Sequence, residues 1–311
     1  MTTRRVLVAG GAGFLGSHLC ERLLRDGHHV IAADDFSTGH AQNVQHLLQQ
    51  RRFELRRHDV TQPLAVDVDG IFNLACPGSP EHYQREPVRT ATTNALGTLN
   101  LLELASQRNA RIFHASSSEV YGNSHVSPQI ENDHGSVNCL GPRSALEEGK
   151  RFAETLCFAY FRQRGVAVRI GRLFNAYGPG MQPGDGRAVS NFITQALRGE
   201  DLVVYGTGEQ TRSFCYVDDM VEGIVRLMDG DAEGPLNLGH PQEVTVLELA
   251  ETVLRLTRSR SRIVHGPLPP DEPKRLCPDL QHTTSHLGWQ PRVPLEEGLQ
   301  ETIRHFRYML H

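Results

Sequence analysis

The sequence has little that would mark a secreted, membrane-bound or metal-dependent protein. One tryptophan and six cysteines occur in 311 residues, and Cys20, Cys76, Cys139, Cys157, Cys215 and Cys277 are scattered without a C-x-x-C pair. A chain of this length buries a sizeable core and needs no disulfide staples, so reduced thiols are expected. The sixteen histidines include no H-E-x-x-H and no zinc-type Cys/His spacing, so no metal is expected. No apolar run approaches the roughly 18 residues that span a bilayer. Met1-Thr2-Thr3-Arg4-Arg5 leads straight into Val6-Leu7-Val8, without the apolar stretch of a signal peptide, and a cytoplasmic location is expected. Charge of one sign is also missing. Against 32 basic residues stand 36 acidic ones, a formal net charge of −4, which leaves no footprint for nucleic acid or a membrane surface.

What is present is alternation. Arg5–Ala9, Val30–Ala33, Phe53–Leu55, Gly70–Leu74, Arg111–Ala115 and Val166–Leu173 are short apolar or β-branched runs. Helical patterns separate them at His18–Leu24, Val88–Ala105 and Arg143–Arg164. That rhythm predicts an α/β, Rossmann-type, doubly wound parallel sheet. From Tyr177 to Gly186 the chain is rich in Gly and Pro and is expected to be loop, outside any sheet. Helices are expected at Asn191–Leu197, Val217–Met228, Leu247–Leu256 and Leu295–Tyr308, forming a smaller lobe over the sheet. The resulting division is residues 1–176 plus about 213–246 for the first domain, and 177–212 plus about 247–311 for the smaller lobe.

Gly10-Gly11-Ala12-Gly13-Phe14-Leu15-Gly16 follows the first strand and opens the first helix. Glycine there lets the chain turn tightly and lets its backbone approach a pyrophosphate. The helix N-terminus adds free N–H groups and a partial positive charge. Asp34, 21 residues after Gly13 at the end of the second strand, can accept bonds from a ribose and would repel a 2′-phosphate. NAD is therefore expected in preference to NADP.

These features, and others along nearly the whole chain, resemble the extended short-chain dehydrogenase/reductase family that acts on nucleotide sugars. Cys76–Tyr83, Ala115–Gly122, Gly141-Pro142-Arg143, Asp185–Phe192 and Gly208–Phe214 look specifically like the UDP-glucuronic acid decarboxylase (UDP-xylose synthase) family. The resemblance implies one bound NAD, oxidation of the sugar at C4, loss of CO2 and release of UDP-4-keto-xylose or UDP-xylose. The alternatives are another nucleotide-sugar epimerase or dehydratase, or a catalytically silent homologue that binds NAD and a nucleotide sugar. By resemblance, Ser117, Ser118, Glu119 and Lys150 carry the chemistry. The cofactor would lie against Gly10, Gly13, Phe14, Leu15, Asp34, Phe36, Ser37, Thr38, Gly39, Asp59, Val60, Leu74, Thr93, Lys150 and Ala176. Tyr83, Asn175, Arg187, Val189, Tyr205, Gln210 and Arg212 would hold the nucleotide sugar. Relatives form homodimers through paired helices, expected here at Val88–Ala105 and Arg143–Arg164, with Phe152, Leu156, Phe158 and Tyr160 on the second helix.

Two positions depart from the family pattern. The family pairs a tyrosine with a lysine four residues later on one helix face. Lys150 is present, but Leu146 stands in the tyrosine's place, and leucine cannot take a proton. Near the carboxyl end, Asp271–Pro278 lacks one of the family's basic residues. The corresponding arginine is either replaced by Leu276 or displaced to Arg275.

Overall fold

The computed structural model describes residues 3–310. Met1 and Thr2, which open the leaderless start expected above, lie outside them. Strands and helices alternate along much of the first half. The order is β1 (Arg5–Ala9), α1 (Phe14–Arg25), β2 (His29–Asp34), β3 (Phe53–Arg57), β4 (Gly70–Asn73), α2 (Pro80–Arg85), α3 (Pro87–Thr92), α4 (Thr98–Arg108), β5 (Arg111–Ser117), α5 (Ser144–Arg164) and β6 (Val168–Leu173). In the second half come β7 (Ala176–Tyr177), α6 (Ala188–Arg198), β8 (Leu202–Tyr205), β9 (Thr211–Ser213), β10 (Cys215–Tyr216), α7 (Val217–Asp229) and β11 (Pro235–Leu238). The chain closes with β12 (Glu243–Thr245), α8 (Val246–Thr257), β13 (Ile263–Gly266), β14 (Arg275–Leu276), α9 (Gln281–Leu287) and α10 (Leu295–Leu310).

Seven strands form one sheet in the order β11-β6-β5-β4-β1-β2-β3, every pairing parallel. This is the doubly wound sheet that the alternation predicts. A parallel sheet is covered on both faces, which is why its strands are apolar throughout rather than alternating. Within β1, Val6 and Val8 join the core on one face, while Leu7 and Ala9 join the core beneath α4 and α5 on the other.

Three features differ from the sequence reading. The helical pattern at 88–105 is not one regular helix, because a π turn at Thr93–Gly97 separates α3 from α4. Wide turns of this kind cluster at functional sites, and Thr93 lines the small cavity beside Asp34 described below. Tyr177, expected in a loop, instead pairs with Tyr216 between β7 and β10. Its ring is fully buried, edge-on to Phe214 and Tyr216, and its hydroxyl donates to the Leu295 carbonyl at 3.1 Å, so packing overrides the Gly/Pro neighbourhood. The seventh strand, β11, was missing from the sequence-based set. It begins with Pro235 and runs along the sheet edge, where a residue without an N–H is tolerated.

A buried clamp fixes α5 to the sheet. Glu154 accepts Ser116 Oγ at 2.5 Å and both Nε and Nη2 of Arg172, at 2.9 and 2.8 Å. The two charged side chains are about nine-tenths buried. Removing one member of such a pair leaves an uncompensated charge. Glu154→Ala is expected to lower unfolding stability by about 3 kcal/mol, read as an earlier urea midpoint, whereas an unchanged midpoint would remove the clamp from the fold's supports.

Candidate functional site

The C-terminal ends of β1, β2, β4, β5 and β6 open onto one groove, the position where doubly wound sheets bind ligands. At its centre Gly10 has φ +79°, and a Cβ there would sit 2.9 Å from the backbone of Leu74 and Ala75. A Cβ on Gly16 would fall 2.0 Å from the Gly10 carbonyl oxygen. The turn therefore closes only with these glycines, and it leads directly into α1. Gly13 caps that helix without a side-chain bond, so N–H groups of the first turn stay open to an anion.

Asp34 ends β2 with both oxygens engaged by backbone. Oδ2 accepts the Ala12 N–H and Oδ1 accepts the Phe36 N–H, each at 2.9 Å. Burial raises its pKa, and these two bonds oppose the rise. The carboxylate lines a cavity of about 70 Å³ together with Ser37, Thr38, Gly39, Val60 and Thr93. A side chain at Gly39 would press within 2.8 Å of the carboxylate. Space, free acceptor lone pairs and the cradle of glycines fit a dinucleotide whose ribose reaches Asp34 and whose phosphates meet α1.

A larger cleft of about 480 Å³ continues from this cavity. Gly10, Gly13, Phe14, Leu15, Leu74 and Ala176 line its cofactor side. All four expected catalytic residues, Ser117, Ser118, Glu119 and Lys150, face the same space, as do Asn175 and Arg187. Ser117 begins a short 3₁₀ turn (Ser118–Tyr121), its Oγ accepting the Glu119 N–H. Lys150 Nζ donates to the Ala115 carbonyl at 2.7 Å. Leu146 lies one turn earlier on α5, is 4% exposed and lines the same cleft. The side chain one turn before Lys150 is hydrocarbon.

Other expected residues fall elsewhere. Phe36 has φ +63° and packs its ring on the core, while Asp59 is exposed and caps Thr61 N–H at 2.9 Å. Val189 is buried in the first turn of α6. Tyr205 is half-exposed, and Gln210 Nε2 donates to its carbonyl. None of these five lines either cavity. Arg187 is held by Asp185, with Nε 2.8 Å from Oδ2, and lies over the Phe14 ring.

The structure adds a charged cluster that the sequence reading did not assemble. Arg143, 6% exposed, directs Nη2 to Glu119 at 2.5 Å, Nε to Glu147 at 3.3 Å and Nη1 to Glu272 at 2.9 Å. Glu272 also binds Arg212. Tyr83 lies against this cluster, fully buried and with no partner for its hydroxyl. Only the i,i+4 spacing of Arg143 and Glu147 signalled any of it in the sequence. Residues 275 and 276 lie in the same region. Arg275 points outward and pairs with Glu243 at 2.6 Å, while Leu276 is buried at 1% exposure.

The fold and the glycine turn are those of a dinucleotide-binding protein, and the chain belongs to the NAD dependent epimerase/dehydratase family, whose model matches residues 6–239. Among its relatives, UDP-glucuronic acid decarboxylase 6 of Arabidopsis thaliana is 53% identical over 98% of this chain and 90% of its own. UDP-glucuronic acid decarboxylase 1 of Danio rerio is 51% identical over 97% of this chain and 72% of its own. A solved UDP-glucuronic acid 4-epimerase from Bacillus cereus, in complex with UDP-glucuronic acid and NAD, superposes with a TM-score of 0.88. It is 28% identical, and the alignment covers 98% of this chain and 99% of that one.

Asp34→Ala is expected to weaken NAD binding about tenfold by calorimetry, the loss of a charged hydrogen bond. Unchanged affinity would move the ribose away from β2.

Proposed function

We propose that this chain is an NAD-dependent UDP-glucuronic acid decarboxylase that yields UDP-4-keto-xylose, UDP-xylose or both. The observation that supports this most strongly is the convergence of Ser117, Ser118, Glu119 and Lys150 on one cleft, in a chain about half identical to curated decarboxylases over nearly its full length. In this reading residues 1–176 with about 213–246 hold the cofactor. Residues 177–212 with about 247–311 hold the nucleotide sugar.

Bound NAD supplies the acceptor for hydride from the sugar C4 and can return it. Oxidation at C4 makes the C6 carboxylate β to a ketone, so CO2 leaves with its bonding electrons moving into the carbonyl as an enolate. Ser117 holds the C4 oxygen, Ser118 lies towards the carboxylate and C5, and Lys150, fixed on Ala115, keeps positive charge beside the C4 oxygen. Glu119 is the titratable carboxylate of that wall and the group available to take the C4 proton where Leu146 offers none. Arg187 on the smaller lobe offers its guanidinium to the diphosphate.

A second reading, a silent homologue that binds NAD and a nucleotide sugar, is favoured by the two leucines. Leu146 and Leu276 remove a phenol and a guanidinium, and Arg275 replaces neither. Incubation with NAD and UDP-glucuronate separates the readings. Release of CO2 supports the decarboxylase, and binding without CO2 supports the silent homologue.

We also propose a cytoplasmic homodimer. Val88, Leu96 and Phe152 are exposed apolar residues on the α3–α4 and α5 side of the molecule, whereas Tyr160 is buried and Leu156 and Phe158 pack on the core. No described helix is long and apolar enough to cross a membrane. Light scattering is expected to give twice the mass of one chain, and a monomer at micromolar concentration would overturn the pairing.

Leu146 limits the return step more than the forward one. Loss of CO2 pulls oxidation forward even with a weak base, but reduction of the 4-keto sugar has no such pull. Leu146→Tyr, which restores a phenol one turn before Lys150, is expected to raise turnover by up to about 10²-fold and to shift product toward UDP-xylose on chromatography. Equal rates and ratios for both proteins would make Leu146 a bystander.

A further inference from the structure

Three glutamates surround one guanidinium beside the cleft, and they do not stand alike toward solvent or substrate. Glu119 faces the cleft. Glu272 is shared with Arg212. Glu147 lines neither cavity, is 3% exposed, and holds Arg143 at 3.3 Å, the longest of the three contacts.

We propose that Glu147 is a positioning residue that sets how strongly Glu119 can hold a proton, because both draw on Arg143. The inference rests on the decarboxylase reading above and names what tunes the base left in charge when the phenol is absent.

The charge count leads to it. Glu119, Glu147 and Glu272 ionised carry three negative charges against two positive charges on Arg143 and Arg212, so the closed cluster is balanced when one proton is bound. The proton settles where ionisation is hardest, on the most buried carboxyl with the longest contact to the cation. The groups facing Glu147 agree. Arg143 from its own helix favours the charged form, whereas Glu119 from the 3₁₀ turn and Asp271 from the segment before β14 oppose it. Tyr83 from α2 lies against the same cluster, its hydroxyl unpartnered. Burial and the Glu119 charge push the Glu147 carboxyl up to about 7.

The consequence falls on Glu119. With Glu147 neutral, Arg143 gives its charge to Glu119 and Glu272, and Glu119 is a weak base. As Glu147 ionises, the same guanidinium is spread over three carboxylates, and Glu119 becomes more basic. The step it serves balances: as hydride leaves C4 for NAD, the O–H electrons form the C4=O bond and the proton passes to the Glu119 carboxylate. Arg143 moves no proton, because its own pKa is raised by its carboxylate neighbours. It transmits only electrostatics.

The test joins a binding-independent readout to a kinetic one. In ¹³C-glutamate-labelled, ligand-free protein, with the Glu119 signal assigned through Glu119→Gln, that signal is expected to shift near pH 7 as Glu147 ionises, to lose this step in Glu147→Gln and to keep it in Glu147→Asp. A Glu119 signal without the step in the unaltered chain, or one that keeps it in Glu147→Gln, would overturn the proposal whatever the enzyme does. With NAD and UDP-glucuronate, single-turnover NADH formation is expected to rise from about pH 6 to about pH 8 as Glu147 ionises. Glu147→Gln should flatten that limb and lower kcat about tenfold with KM within about twofold, and Glu147→Asp should restore the limb. A retained limb in Glu147→Gln, or a loss confined to KM, would also overturn it. If the unaltered chain forms neither NADH nor CO2, the decarboxylase reading fails, and the Glu119 signal near pH 7 still decides whether Glu147 acts on it.

Discussion

Parallel pairing is the constraint from which the site follows. With all seven strands of the main sheet running the same way, Ala9, Asp34, Asn73, Ser117 and Leu173 end their strands at one edge. At the midpoint the order reverses, with β1 between β4 and β2. Crossovers leave on opposite faces there, and a groove opens between them. The Asp34 carboxylate, the glycine turn and the serine wall come from the ends of β2, β1 and β5, the last some way along the chain from the first two. They meet because a parallel sheet with right-handed crossovers has no other place to put its strand ends.

This explains what could be read from the amino acids alone. The strands of the first half were legible because burial on both faces makes them continuous apolar runs, and Gly10 to Gly16 was legible because backbone approach leaves no choice of residue. Asp34 was legible by spacing. What escaped was non-local. β11 is an edge strand opened by Pro235, and β9, β12 and β14 are two or three residues long, too short to show a period. Tyr177 looked like loop because its neighbours are Gly and Pro, yet an aromatic contact with Tyr216 holds it in a ladder. Arg143 and Glu272 are 129 positions apart, and no spacing rule reaches that far.

The substrate side divides in the same way. Asn175 and Arg187, close to strand β6 and the start of α6, reach the cleft, while Tyr205, Gln210 and Arg212 sit on short strands and turns of the smaller lobe outside it. Arg212 is instead absorbed by Glu272, which ties β9 to the cluster around Arg143. Resemblance named these residues by type and position. Only the packed lobe decides which of them present a free side chain to the groove.

The two leucines and the charged cluster point in different directions, and their energetics separate them. A leucine at 146 or 276 costs the fold nothing, because an apolar side chain in a buried position is stabilising by its own burial. Burial accounts for both leucines. The four charged groups gathered beside Glu119 are a different matter. Desolvating them is expensive, and replacing such a network with hydrocarbon is often neutral or stabilising. Stability gives little reason to retain it. A carboxylate facing the cleft, tied to a buried neighbour through a common guanidinium, gives a reason that stability does not.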